Sequence, residues 1–92
     1  MLFLISWHGE PAQRDSAMKR FLQTGGQPPA GVRLLGRWHA VGAVKGVAIA
    51  ECDDAALIGK WALEWNDLFE MDVSAALDDA QMGPLLAAQA AR

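Results

Sequence analysis

The run Leu2 to Trp7, LFLISW, is apolar at both parities: in an extended strand Phe3 and Ile5 fall on one face, Leu2 and Leu4 on the other. The run is too brief for a helix and ends at His8 and Gly9, so it reads as a strand. A strand that is apolar on both faces belongs inside a sheet covered from both sides. Val47 and Ile49, set against Ala48 and Ala50, repeat the pattern further along. Any fold for this chain must place two such strands in one sheet and find two covers for it.

The remaining segments supply the other elements. Pro11 suits a first helical turn, and Ala17, Met18, Phe21 and Leu22 recur at helical spacing until Gly25 and Gly26 stop the helix. After the stiff turn Gln27 to Gly31, Val32 to Ala40 and Val44 to Cys52 form a hairpin through Gly42. Asp53 and Asp54 can accept from free amides at a helix start, and Leu57, Ile58, Trp61, Ala62 and Trp65 follow on one face of a helix ending near Asn66. Phe69, Met71, Val73 and Ala75 alternate with Glu70, Asp72 and Ser74, which gives a fourth strand with one charged face. The Ala- and Leu-rich tail from Asp78 predicts a third helix, with Pro84 in its first turn.

The order βαββαβ plus a terminal helix is the split βαβ, or ferredoxin-like, arrangement: an α+β fold with a four-stranded antiparallel sheet and two helices on one face. With no break in composition, residues 1–92 make one domain. Right-handed crossovers put strands one and three side by side at the centre. They are expected to run parallel and end together, so that His8 shares an edge with Cys52 and Asp53, while strand two carries His39 to the opposite edge. Within strand two, alternation sends Trp38 to one face with Val32 and Leu34, and sends Arg37 and His39 to the other with Arg33.

The helices leave one sheet face bare. Folding buries only about 60 to 65% of the surface of so short a chain, yet 52% of the residues are hydrophobic and four are Trp. A second copy stacked sheet to sheet is the expected cover, giving a homodimeric α/β barrel in which Arg33 and Arg37 meet Glu70 and Asp72 across subunits. With 8 basic against 11 acidic residues and no Lys/Arg run, nucleic acid is excluded as a partner. Cys52 stands alone, so no intrachain disulfide forms and a reducing compartment is expected. The apolar start is too short to span a membrane and lacks a basic flank, which points to a soluble, cytoplasmic protein with no membrane partner.

The segments GVRLLGRWH, AECDDAAL and EWNDLFEMDV, together with ISWH and FLQTGGQPPAGV, resemble an uncharacterised domain-of-unknown-function family, DUF3303, over most of the chain apart from the tail. That family is similar to the dimeric α/β-barrel group, which implies a ferredoxin-like protomer and a two-fold dimer. The resemblance implies no reaction and no catalytic residue. Small monooxygenases, isomerases and haem-degrading enzymes occur elsewhere in that group, an analogy at the level of fold alone.

No motif names a chemistry. The glycines match neither a P-loop nor a GxGxxG fingerprint, and Ser6 and Ser74 lie in no nucleophile elbow. His8, Cys52 and Asp53 lack the HxxxH or CxxC spacing of a zinc site, so no metal is expected. His8, His39 and Glu10 are the candidates for proton transfer, and Trp7, Trp38, Trp61, Trp65 and Phe69 for a ligand pocket between sheet and helices. An excess of aromatic residues over titratable ones favours a small-ligand binding or sensing module for an apolar or aromatic ligand. The alternatives are a cofactor-independent or haem-linked monooxygenase or isomerase, and a structural dimerisation domain; no cofactor is specified.

Overall fold

Seven elements follow one another along the chain: β1 (Leu2–His8), α1 (Arg14–Thr24, entered through a 3-10 turn at Pro11–Gln13), β2 (Arg33–His39), β3 (Lys45–Glu51), α2 (Ala55–Leu63), β4 (Glu70–Ala76) and α3 (Asp79–Ala90). They are seen in a computed structural model that describes residues 1–92. The strands form one antiparallel sheet in the order β2-β3-β1-β4, an α+β fold of βαββαβ order with an added C-terminal helix. β1 and β3 are central, as their double apolar faces require.

Strand direction corrects one expectation. β1 and β3 run antiparallel, with Leu2 opposite Glu51 and His8 opposite Lys45. The crossover through α1 makes β2 parallel to β1, and the tight hairpin then reverses β3. Cys52 therefore lies at the edge opposite His8, where its N–H donates to the Met1 carbonyl at 2.9 Å. His8 and His39 share an edge instead of being separated, since His39 pairs with Gly46 beside Lys45.

A second correction concerns β2. Leu34 pairs with Ala50 and Gly36 with Ile49, so Leu35 is an extra residue, a β-bulge. Past the bulge the faces exchange. Leu34, Arg37 and His39 share the helix-covered face, whereas Arg33 and Trp38 lie on the bare one. Alternation does separate Trp38 from Arg37 and His39, but Trp38 does not accompany Leu34, nor does Arg33 accompany Arg37.

The core gathers beneath α2. Phe3, Ile5, Ala48, Ala50 and Cys52 from the sheet side meet Ile58 and Trp61 from the helix. The α2 start is fixed by Asp54, which accepts from the Ala56 N–H at 2.9 Å, while Asp53 lies 3.6 Å from the N-terminal ammonium. α1 ends at Gly25, whose φ of 70° is the left-handed conformation a glycine adopts without strain.

α3 differs from the other helices in burying none of its residues. It starts at Asp78, whose carboxylate accepts from the Gln81 N–H at 2.8 Å while the Gln81 Oε1 accepts from the Asp78 N–H at 3.0 Å. Pro84 is therefore inside the helix, beyond the first turn. The projecting arm stretches the molecule to 52 × 29 × 18 Å with a radius of gyration of 15.5 Å, against about 12 Å for a compact chain of this length. No helix is long and apolar enough to cross a membrane.

Candidate functional site

A cleft of about 930 Å³ opens between α1, the end of α2 and the helix-covered face of the sheet. It exists because α1 covers the sheet poorly. Only Ala17 of that helix is buried, Phe21 is half-buried, and Met18 and Leu22 are exposed despite their helical spacing.

Two arginines hold α1 over the gap. Arg20 makes a bidentate pair with Asp67, at 2.7 and 2.8 Å, and donates to the Glu64 carbonyl at 2.8 Å. Those bonds hold Arg20 above its ordinary pKa and the Asp67 carboxyl below its own. From β2, Arg37 donates to the carbonyls of Gly26 and Gly25, at 2.7 and 3.2 Å, just beyond the last turn of α1. Burial pulls its pKa down.

Beneath the helix the rings form an arc. Trp7 faces His39 edge-on with centroids 5.7 Å apart, and the His39 ring meets Phe21 in the same manner at 5.6 Å. On its other side Trp7 approaches Phe69 at 6.5 Å, and Phe69 stacks on Trp65 at 5.8 Å and 12°. Each end of the arc carries a guanidinium: Arg37 lies 4.8 Å from the Phe21 centroid and Arg20 5.5 Å from that of Trp65.

Gly46 permits the middle of the arc. Trp7 and His39 are on different strands, separated by β3, and Gly46 is the residue between them. With no side chain there, the indole lies across β3 toward His39. A methyl group would collide with the Trp7 ring and with the Trp38 carbonyl oxygen.

The other residues singled out by the sequence are dispersed. Trp7, Trp61, Trp65 and Phe69 line the cleft, but Trp38 stands on the opposite sheet face in the row Trp38–Val47–Ser6–Asp72. His8, Glu10 and His39 all line the cleft, and all three are exposed. Arg33, Glu70 and Asp72 are on the bare face, and Arg33 already pairs with Glu51 at 2.9 Å. Arg37 faces the cleft and is not beside them. Cys52 is buried, with its Sγ 3.1 Å from the Asp54 carbonyl, and no three metal-ligating side chains converge anywhere.

Sequence reasoning missed Phe21 and Arg37 as cleft residues. The signal was Gly36, since a glycine within a strand often marks a bulge, and the bulge turns Arg37 inward. No curated protein matches the chain. The family model described as a domain of unknown function, DUF3303, matches residues 1–90, and the chain belongs to that family.

Proposed function

We propose that the protein is a small-ligand binding or sensing module that takes an apolar or aromatic molecule into the cleft under α1. The observation that carries this reading is the arc Phe21–His39–Trp7–Phe69–Trp65, which lines an open space where a core would ordinarily be filled. Aromatic faces and edges at such separations accept a further ring with little rearrangement. Binding is favoured over acid–base catalysis because His8, Glu10 and His39 are all exposed, so none has the enclosure that tunes a catalytic group.

The test uses phenylnaphthylamine, a neutral probe that brightens in apolar surroundings. Its emission should rise on titration with the protein and fall back in Phe21→Ala and Trp7→Ala. No enhancement with the folded wild type, or equal enhancement in both variants, overturns the reading.

A homodimer completes this reading. The bare sheet face exposes Leu4, Val47 and Trp38, and the edge strands β2 and β4 are free to pair. Arg33 on one edge and Glu70 and Asp72 on the other are of opposite charge, which suits a two-fold stack. Light scattering at micromolar concentration should give twice the protomer mass, and Val47→Asp should halve it. A wild-type monomer under those conditions rules the stack out.

A further inference from the structure

We propose that the ligand of this cleft is an amphipathic anion, with an aromatic or aliphatic body along the ring arc and a carboxylate-like oxyanion head that meets Arg37, with His39 beside it. The inference rests on the proposed binding role and adds the charge of the ligand.

The two guanidinium groups at the ends of the arc differ in one respect. Arg20 is neutralised by Asp67, and elsewhere Arg14 and Arg33 pair with Asp15 and Glu51. Arg37 has no carboxylate within ion-pair distance, although it is half-buried. Its hydrogen-bond partners are two neutral carbonyls. They engage two of the five N–H groups of a guanidinium, a fork whose shape matches a planar oxyanion.

A charge withdrawn from water without a counter-ion is unfavourable unless something supplies one. The carbonyls at the end of α1 supply part of that, through their partial negative charge. The remainder is open to a ligand. Of the other charged side chains that line the cleft, Arg14 pairs with Asp15, and Lys45 and Glu10 offset each other, so Arg37 carries the uncompensated charge. The lowered pKa of Arg37 is consistent with incomplete compensation, and the group remains protonated at neutral pH.

His39 adds selectivity. Its ring lies edge-on to both Trp7 and Phe21, at the point where the aromatic body would end and the head begin. An imidazole there can donate a hydrogen bond to the head.

Naphthoate and naphthamide have the same aromatic body and differ in the charge of the head. Each is titrated as a competitor of phenylnaphthylamine, with direct calorimetry alongside. Naphthoate should bind about tenfold more tightly than naphthamide to the wild type. In Arg37→Gln, which keeps an amide donor for the Gly26 carbonyl, the ratio of the two affinities should fall to about one, whatever the variant does to the affinity for each. Raising the salt concentration should narrow the wild-type preference. Equal binding of acid and amide by the wild type overturns the anionic ligand while leaving the apolar cleft standing. Failure of phenylnaphthylamine, naphthoate and naphthamide alike overturns both. The wild-type comparison decides the matter even if Arg37→Gln does not fold.

Discussion

The two helices that cover the sheet do so by different means. α2 presses Ile58 and Trp61 into Phe3, Ile5, Ala48 and Ala50, and its fit is apolar and closed. α1 buries a single alanine and is held through Arg20 to Asp67 and through Arg37 to the carbonyls after its last turn. Apolar contact draws surfaces together until no space remains, whereas a hydrogen-bonded clasp fixes a separation. The difference explains how one small sheet carries both a core and a cleft on the same face.

The largest effect that would test this contrast is at Trp61. Trp61→Ala should cost about 3–5 kcal/mol, measured by denaturant unfolding, while Leu22→Ala on α1 should stay within about 0.5 kcal/mol. A comparable loss at Leu22 would mean that α1 is packed after all. Gly46→Ala follows, with an expected loss of about 1–3 kcal/mol from overpacking. Because the added methyl meets a backbone oxygen as well as the Trp7 ring, the indole cannot relieve the clash alone. A blue-shifted or quenched Trp7 signal together with weaker phenylnaphthylamine binding is the expected signature, and unchanged probe binding would show that the lane over β3 does not shape the cleft.

Arg20→Ala is expected to leave global stability nearly unaltered, since exposed ion pairs contribute little. Hydrogen exchange should nevertheless quicken in α1 and not in α2. Equal quickening in both helices would show that they move as one unit. The smallest effect is that of pH on the same clasp. Asp67 has a folded pKa below its ordinary value, so its contribution is present above the unfolded value of about 3.9 and fades as pH falls through the folded one. Arg20, shifted upward, stays charged throughout. Exchange in α1 should therefore rise below about pH 4 ahead of that in α2, and simultaneous loss of both would place the acid sensitivity elsewhere.

Much of the fold was legible because period carries it. The apolar parities of Leu2 to Ile5, the alternation of Phe69 to Ala75 and the spacing from Leu57 to Trp61 each specify an element and its face. What eluded that reading is non-periodic. The extra residue at Leu35 shifts every later side chain of β2 to the other face, and hydrophobic pattern alone does not register an inserted residue. The direction of β3 depends on counting reversals through the crossover and the hairpin, and with it the positions of His8, His39 and Cys52 change edges. The stripe Met18, Phe21 and Leu22 announces a buried face that α1 does not bury, because its distance from the sheet is set by polar bonds, from its own Arg20 to Asp67 and from Arg37 of β2 to Gly26. Trp7, Trp61, Trp65 and Phe69 could be named as cleft residues from their aromatic character, but the space between them arises from that distance.

If a second copy covers α3, the molecule gains a dependence on its own abundance. A twelve-residue helix that buries nothing is marginal in water even when rich in alanine, and Pro84 removes one of its donors. Met82, Leu85 and Leu86 along it become a favourable contact only when another surface arrives. If that surface is a neighbouring copy, helix content rises with concentration by mass action. A scarce protein would then trail a frayed, protease-sensitive end, and an abundant one would conceal it, so that survival of each copy is coupled to the presence of others.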